Sequence, residues 1–522
     1  MKLTCIILFA IANIYLNEVQ ALNILGVFPY QGKSHFFVFE PYLRELANRG
    51  HNVTVISHFP LKQTISNYTD ISLAGKVKVL ENVFPLEKSF FTILKIVFFL
   101  FGEGTDNCKI LLENPNVQNL WKTQQKFDVV VVEQFNSDCS LGLAYKLGAP
   151  VVGMTSHTLM PWHYSRLGVP SNPSFVAFQF CSGGTRPTLY HRIETALLDA
   201  YVNILYKFLG QRVDQNTLAQ HFDDIPPLED LGRDIKFMLL YHNIMLKGSQ
   251  LFPGNVKEVG GYHVAKPKQL PDVSRFKESL FVQKLNLKLD QHGVIYISFG
   301  SMLQAKSLPK DKLDAIIGVI NQLPQGFIWK FDQKTLPGNP KNVYLSNWLP
   351  QNDILAHPKV IAFFSHCGML GITEAIHYGL PIVGMPIFGD QPSNAAAVKE
   401  SGLGVQIEIQ ELTKENLLER FKTVLDPEFR QKVKLLSKAW HDRPVSAMDS
   451  AIFWTEFAAR NRNFTFRSAA ADVPLYQYLC LDVMLVLIVI IVTPVLVIKF
   501  VLYKVFSKRN PVQKHGKKSK RE

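Results

Sequence analysis

Two kinds of segment alternate along the chain: short unbroken apolar runs, and stretches whose apolar positions repeat at helical spacing. Leu22–Phe28 is the first apolar run. Ser34–Arg49 follows it with Phe39, Leu43, Leu46 and Ala47 on one face. Pro41 inside that pattern predicts a kink or a late helix start, and Gly50 a stop. Val53–Ser57, Phe127–Val132 and Val151–Met154 are the next expected strands, with a helix over Leu141–Leu147. The rhythm restarts after Pro253, with strands expected at Gly293–Phe299, Gly326–Phe331, Val343–Ser346, Ile361–Ser365, Pro381–Pro386 and Gly404–Ile407. Continuous apolar strands separated by amphipathic helices belong to parallel sheets covered on both faces. The expected fold class is therefore α/β: two Rossmann-like, doubly wound domains, residues 22–250 and 251–465, facing one another across a cleft. In such sheets ligands bind at the carboxyl ends of the strands.

The two ends break this pattern. Residues 1–21 open with Lys2, continue through the apolar Leu3–Ala12 and reach Val19-Gln20-Ala21, the layout of a signal peptide. Residues 479–503 are apolar and long enough to cross a hydrocarbon core of about 30 Å as one helix. Asp482 and Lys499 lie near its ends, and Pro494 is tolerable inside a membrane helix. The formal charge of +13 falls about half in the tail 504–522, so it is no argument for nucleic acid. A basic tail after a single span is cytosolic by the positive-inside rule, which puts the body in the lumen. Lys518 and Lys520 match a dilysine retrieval signal of the endoplasmic-reticulum membrane, or simply complete a stop-transfer flank. Phe90–Phe101 is very apolar but too short to span; a buried helix and a surface dipping into the membrane both fit it.

Hydrophobic residues make up 47% of the chain and charged residues 19%, which excludes disorder. Outside the signal and the span stand Cys108, Cys139, Cys181 and Cys367, with no metal-ligand spacing. An oxidising compartment permits disulfides among them without specifying the pairing. Asn52, Asn67 and Asn463 open glycosylation sequons. Asn52 is the weakest, since it opens an expected buried strand.

The densest chemistry lies between Asn347 and Gln391. There the strand Ile361–Ser365 ends at His366, and Cys367-Gly368 makes a tight exit into a helix. The N-terminus of that helix presents free N–H groups and partial positive charge, which favour a phosphate. Gly368 and Gly371 permit close approach of the backbone. Pro386 ends the next strand and delivers Asp390-Gln391 to the same edge, a carboxylate and an amide suited to sugar hydroxyls.

This block resembles the signature of the UDP-glycosyltransferases, including the UDP-glucuronosyltransferases of animals. Trp348, Gln351, His366, Gly368, Glu374, Pro381, Pro386, Asp390 and Gln391 carry the resemblance in order and spacing. It implies a GT-B-like fold in which Trp348 stacks on uracil and Gln351 and Glu374 hold the ribose. His366 with Ser301 would face the pyrophosphate, and Asp390 and Gln391 the transferred sugar. Leu370 departs from the Asn that many relatives carry, although insect-like members often have an apolar residue there.

No G-x-G-x-x-G follows the first strand of either domain, which argues against a dinucleotide-dependent oxidoreductase. No D-x-D-like pair ends a strand, so neither a metal nor another cofactor is expected. His35, in the loop after the first strand, is placed for general-base work, and the stretch PYxGxSH resembles the family's base-bearing segment. Its orienting carboxylate is Glu133, where relatives usually carry Asp, or Asp138, which could equally cap the next helix. Single displacement implies inversion to a β-glycoside. The segment Leu239–Gly248 lacks the Arg that vertebrate glucuronosyl members carry, which favours UDP-glucose over UDP-glucuronate. Scattered aromatics in 60–125 and 155–245 fit a small lipophilic acceptor, as in detoxification or secondary-metabolite conjugation. The rival from another class is a catalytically weak, lipophile-binding relative. Oligomeric state is left open.

Overall fold

A computed structural model describes residues 21–77, 89–264, 292–300 and 308–509. Residues 1–20, Ser301 and the end of the tail, with Lys518 and Lys520, lie outside the described residues. The body, up to Ser468, holds two sheets. The first contains β1 (Asn23–Phe28), β2 (Asn52–Ser57), β3 (Tyr68–Ser72), β4 (Val129–Glu133), β5 (Val151–Met154), β6 (Phe237–Leu240) and β7 (Val256–Glu258), in the order β3-β2-β1-β4-β5-β6-β7. The second contains β8 (Val294–Ser298), β9 (Gly326–Lys330), β10 (Val343–Ser346), β11 (Val360–Ser365), β12 (Ile382–Gly384) and β13 (Gly404–Gln406), in the order β10-β9-β8-β11-β12-β13. Every pairing is parallel. These are the two Rossmann-type, doubly wound halves of a GT-B fold.

Burial on both faces explains why the central strands are unbroken apolar runs. All of β4, VVVVE, is buried, each valine contributing about 1.5–3 kcal/mol. The same strand ends on a carboxylate, Glu133, whose burial is costly unless it is paired.

Three features go beyond the pattern. The first sheet runs past position 250 to include β7. The helix Ala447–Arg460, late in the chain, crosses back to the first half. There Tyr42 Oη meets Thr455 Oγ1 at 2.6 Å, His51 Nε2 meets Glu456 at 3.1 Å, and Trp454 packs on Phe237. Where the chain makes this return, Arg443 lies over the Trp440 ring and donates to the Gly260 carbonyl at 3.4 Å. The apolar run at Phe90 belongs to a longer helix, Phe90–Glu113, whose N-cap Ser89 accepts from the Thr92 amide. Its inner face buries Val97, Leu100, Phe101 and Leu111, while Phe91 and Phe98 point outward.

Cys108 on this helix is disulfide-bonded to Cys139, and Cys181 and Cys367 are buried outside that disulfide. The helix Lys33–Asn48 starts ahead of Ser34 and carries Pro41 in its interior, so that proline does not delay its start. Asn67, Asn463 and also Asn52 are exposed. Asn52 starts β2 with its side chain turned to Asn23 at the surface.

Beyond the body, the helix Leu481–Arg509 contains 26 residues, Leu481–Phe506, apolar and long enough to cross a membrane, none of them buried.

Candidate active site

In the first sheet the winding direction reverses between β1 and β4, which leaves a crevice at their carboxyl ends. His35 enters there in the first turn of the helix after β1, and Glu133 is the last residue of β4. His35 Nδ1 lies 2.6 Å from Glu133 Oε1. A carboxylate only accepts, so Nδ1 carries the proton and Nε2 of the neutral ring keeps the lone pair. His35 lines the cleft with its side chain 18% accessible, whereas that of Glu133 is 3% accessible. Tyr30 and Phe135 wall the ring at 4.7 Å, and His157 stands at 5.6 Å. Burial pushes His157 down to about 3, and the neighbouring His35 adds to this, so His157 stays neutral.

Asp138, the other carboxylate considered for His35, is engaged elsewhere. Both its oxygens accept from Arg166 at 2.8 Å, and Gln211 donates to it at 3.1 Å. Burial drives its carboxyl up, but the Arg166 charge more than offsets this and holds it below its ordinary range. It sits at the N-cap of the helix Cys139–Leu147 without a side-chain capping bond. A fully buried guanidinium requires a carboxylate, and that requirement fixes Asp138 away from His35.

The second sheet reverses between β8 and β11, and its site has the same layout. Gly300 follows β8 and His366 follows β11. A Cβ at Gly300 or Gly368 would approach His366 Nε2 to 2.5 or 2.6 Å, so only glycines fit around this ring. Cys367 turns the chain at φ 61° into the helix Met369–Tyr378, whose N-cap Gly368 makes no side-chain capping bond. The first N–H groups of that helix therefore remain open to an anion. Burial pushes His366 down to about 4, with Lys330 adding to the effect. Lys330 ends β9, donates to the Gly300 carbonyl at 2.7 Å and lines the cleft. The only sign of it in the sequence is a lysine closing the apolar run GFIWK.

Gln351 Nε2 donates to Glu374 Oε2 at 2.6 Å, and Tyr296 Oη donates to Gln351 at 3.4 Å. Burial raises the Glu374 carboxyl to about 7, against the lowering effect of Gln351. Trp348, 70% exposed, stands on the cleft wall beside them.

Asp390 and Gln391 reach the same cleft, but their roles differ from a simple donor–acceptor pair. Gln391 Oε1 accepts from the Ile387 and Phe388 amides at 2.9 and 3.2 Å, so its amide can offer a ligand only N–H. Asp390 is held by Asn394 Nδ2 at 2.7 Å, and the same nitrogen reaches the Cys367 carbonyl at 3.0 Å. Asn394 thus ties the Asp390 carboxylate to the turn after His366. Lys247, buried, donates to Ser393 at 3.1 Å, and burial lowers its amine to about 8 while Asp390 opposes that shift. Asn394 and Lys247 carry no sequence signal, one inside a helix and the other before a glycine.

One cleft of about 510 Å³ joins both sites, with His35 on one wall and Trp348, Gln351, His366, Gly368, Leu370, Glu374, Asp390 and Gln391 on the other. Among the described residues no three His, Cys, Asp or Glu side chains gather as a metal-ligand set.

The sequence profile of the family described as UDP-glucoronosyl and UDP-glucosyl transferase matches residues 24–518. UDP-glucosyltransferase 2 of Dactylopius coccus is 32% identical over 95% of this chain and 95% of its own. UDP-glucuronosyltransferase 2B1 of Rattus norvegicus is 31% identical over 90% and 91%. Among solved structures, the glycotransferase of kitacinnamycin superposes with a TM-score of 0.55 at 17% identity, over 83% of this chain and 98% of its own. A UDP-glucosyltransferase from Polygonum tinctorium capable of glucosylating indoxyl gives 0.56 at 14% identity, over 85% and 100%. With a two-sheet fold, a phosphate-ready turn and near-complete coverage of such relatives, the chain belongs to the UDP-glucuronosyl and UDP-glucosyl transferase family and is a UDP-glycosyltransferase.

Proposed function

We propose that this enzyme transfers glucose from UDP-glucose to a hydroxyl of a small lipophilic acceptor with inversion, working at the lumenal face of the endoplasmic-reticulum membrane. The observation that carries the reading is the His35–Glu133 pair, 2.6 Å apart, opening on the same cleft as Asp390 and His366. His35 Nε2 takes the proton of the acceptor hydroxyl. The acceptor oxygen then bonds to the anomeric carbon as the bond from that carbon to the diphosphate oxygen breaks. Glu133 holds the resulting imidazolium, which makes proton removal at neutral pH favourable. UDP leaves toward the open N–H groups of the helix Met369–Tyr378, with Lys330 as a further positive charge. Trp348 supplies the stacking face for the base, and Gln351 and Glu374 the ribose contacts. Asp390 accepts from sugar hydroxyls, and Gln391 donates to them. No step here calls on a metal. The physiological role on this reading is conjugation of lipophilic compounds, as in detoxification.

A second reading, UDP-glucuronate as donor, is favoured by Lys247, a buried cation at Ser393 whose charge lies behind the Asp390 side of the cleft and would favour a sugar carboxylate there. Microsomes expressing the full chain, given a phenol panel and either donor, separate the two by product mass. Glucosides support the main reading. Glucuronides that disappear in Lys247→Met support the second. UDP binding without any product would leave the lipophile-binding alternative standing.

A further inference from the structure

Behind the donor site stands a histidine that does not line the cleft. After β7 the chain leaves the first sheet through Gly260 and Gly261, and the fold holds this segment tightly. A Cβ at Gly260 would meet the His242 carbonyl at 2.5 Å, and one at Gly261, where φ is 97°, the Trp440 ring at 2.6 Å. Two residues on, His263 is buried. Its Nδ1 meets the hydroxyl of Tyr241, just past β6, at 2.5 Å. Its Nε2 has no hydrogen-bond partner among the described residues and lies 3.9 Å from Glu374 Oε1.

A buried ring nitrogen left unpaired is costly, and such an atom in a native fold needs a reason. Burial pushes His263 down to about 3, with His377 adding to this, so the ring is neutral and carries a single proton. Glu374 has its other oxygen, Oε2, engaged by Gln351 at 2.6 Å. Oε1 is left facing the histidine, about 1 Å too far for an N–H···O bond. The ionised carboxylate fixes where the ring proton goes. It only accepts, so Nε2 carries the proton, and Nδ1 accepts from Tyr241, beside which Thr373 and the Gly261 backbone stand as further hydrogen-bonding neighbours. Each carboxylate oxygen has two lone pairs, so Oε1 can take the histidine on one and a ligand hydroxyl on the other.

We propose that His263 is a positioning residue for the nucleoside of the donor: when the nucleotide binds, Nε2–H closes on Glu374 Oε1 and aims that carboxylate at the ribose hydroxyls. The inference rests on the reading of Glu374 as a ribose contact. It extends the ribose site from Gln351 and Glu374 on the cleft wall to a ring on the passage between the halves. Choice of a ribonucleotide over a deoxyribonucleotide then depends on a side chain that never touches the nucleotide.

The test measures binding of UDP and of 2′-deoxy-UDP to the full-length enzyme in detergent by calorimetry. The wild-type chain should favour UDP by about tenfold. His263→Phe should cut that preference to about twofold, and His263→Gln, which returns an N–H, should restore most of it. A preference kept in His263→Phe, or the same loss for both nucleotides, overturns the inference, because a purely structural role acts on both alike. Should His263→Phe fail to fold, Tyr241→Phe decides: a preference reduced by about half or more supports the inference, and one kept intact overturns it. Glu374→Gln separates this inference from the reading beneath it. Preference lost there but kept in the histidine variants overturns the role of His263 alone. Preference kept in Glu374→Gln removes Glu374 from ribose binding, and His263 with it.

Discussion

Both sheets place a histidine just beyond the strand that flanks their switch point, yet the two histidines are built for opposite tasks. His35 has a carboxylate at 2.6 Å and a partly open ring. His366 is half-buried between two glycines beside a lysine, is pushed down to about 4, and pairs with no carboxylate among the described residues. The first environment sets a carboxylate against the ring, and the second disfavours a proton on it. Position on the fold makes a residue available to a ligand; its neighbours decide whether it acts as a base or as a neutral wall for an anion.

The largest effect that would break this contrast is expected from His35→Ala. Turnover should fall by about 10²–10⁴-fold with UDP affinity nearly unchanged; an unaltered rate removes His35 from the chemistry. Next comes the separation of the two carboxylates near it. Asp138→Asn leaves the buried Arg166 with only the part-exposed Glu229 as a carboxylate partner, and should cost up to about 3–5 kcal/mol of stability, seen as a lower Tm. Glu133→Gln should instead lower kcat with Tm nearly constant, and the reverse pattern would reassign the partner of His35. On the donor side, Trp348→Ala should weaken UDP binding by about 1–3 kcal/mol in calorimetry, leaving the binding of acceptor alone untouched.

The smallest effect is a pH dependence. The carboxyl of Glu374, raised to about 7, is largely protonated in the free enzyme below that value. A ribose hydroxyl donates best to the ionised form, so donor KM should fall by up to about tenfold as pH rises from about 6 to 8. Glu374→Gln should flatten that curve, and a slope retained in the variant would place the titrating group elsewhere.

The strands of both sheet centres were legible because parallel strands covered on both faces leave an unbroken apolar signature, as in VVVVE of β4. The edge strand β3, YTDIS, left no such mark, since only Ile71 of its residues is buried. The stretch Asn347–Gln391 could be read as a block because one strand, one turn and one helix carry most of its cleft-lining residues within a short length of chain. Residues that act through tertiary contact could not. Nothing near Asp138 in sequence announces Arg166, and nothing near Asp390 announces Lys247. The return of Ala447–Arg460 to the first half was equally hidden, since an amphipathic helix does not state which sheet it covers.

That return has a mechanical meaning. The chain passes between the halves twice, once from β7 to β8 and once from the helix Pro427–His441 to Ala447–Arg460, and Arg443 bonds the second passage to Gly260 on the first. Two crossings tied to one another resist the twisting of one half against the other more than a single tether does. His35 and Asp390, carried by different halves, keep one register across the cleft on that account.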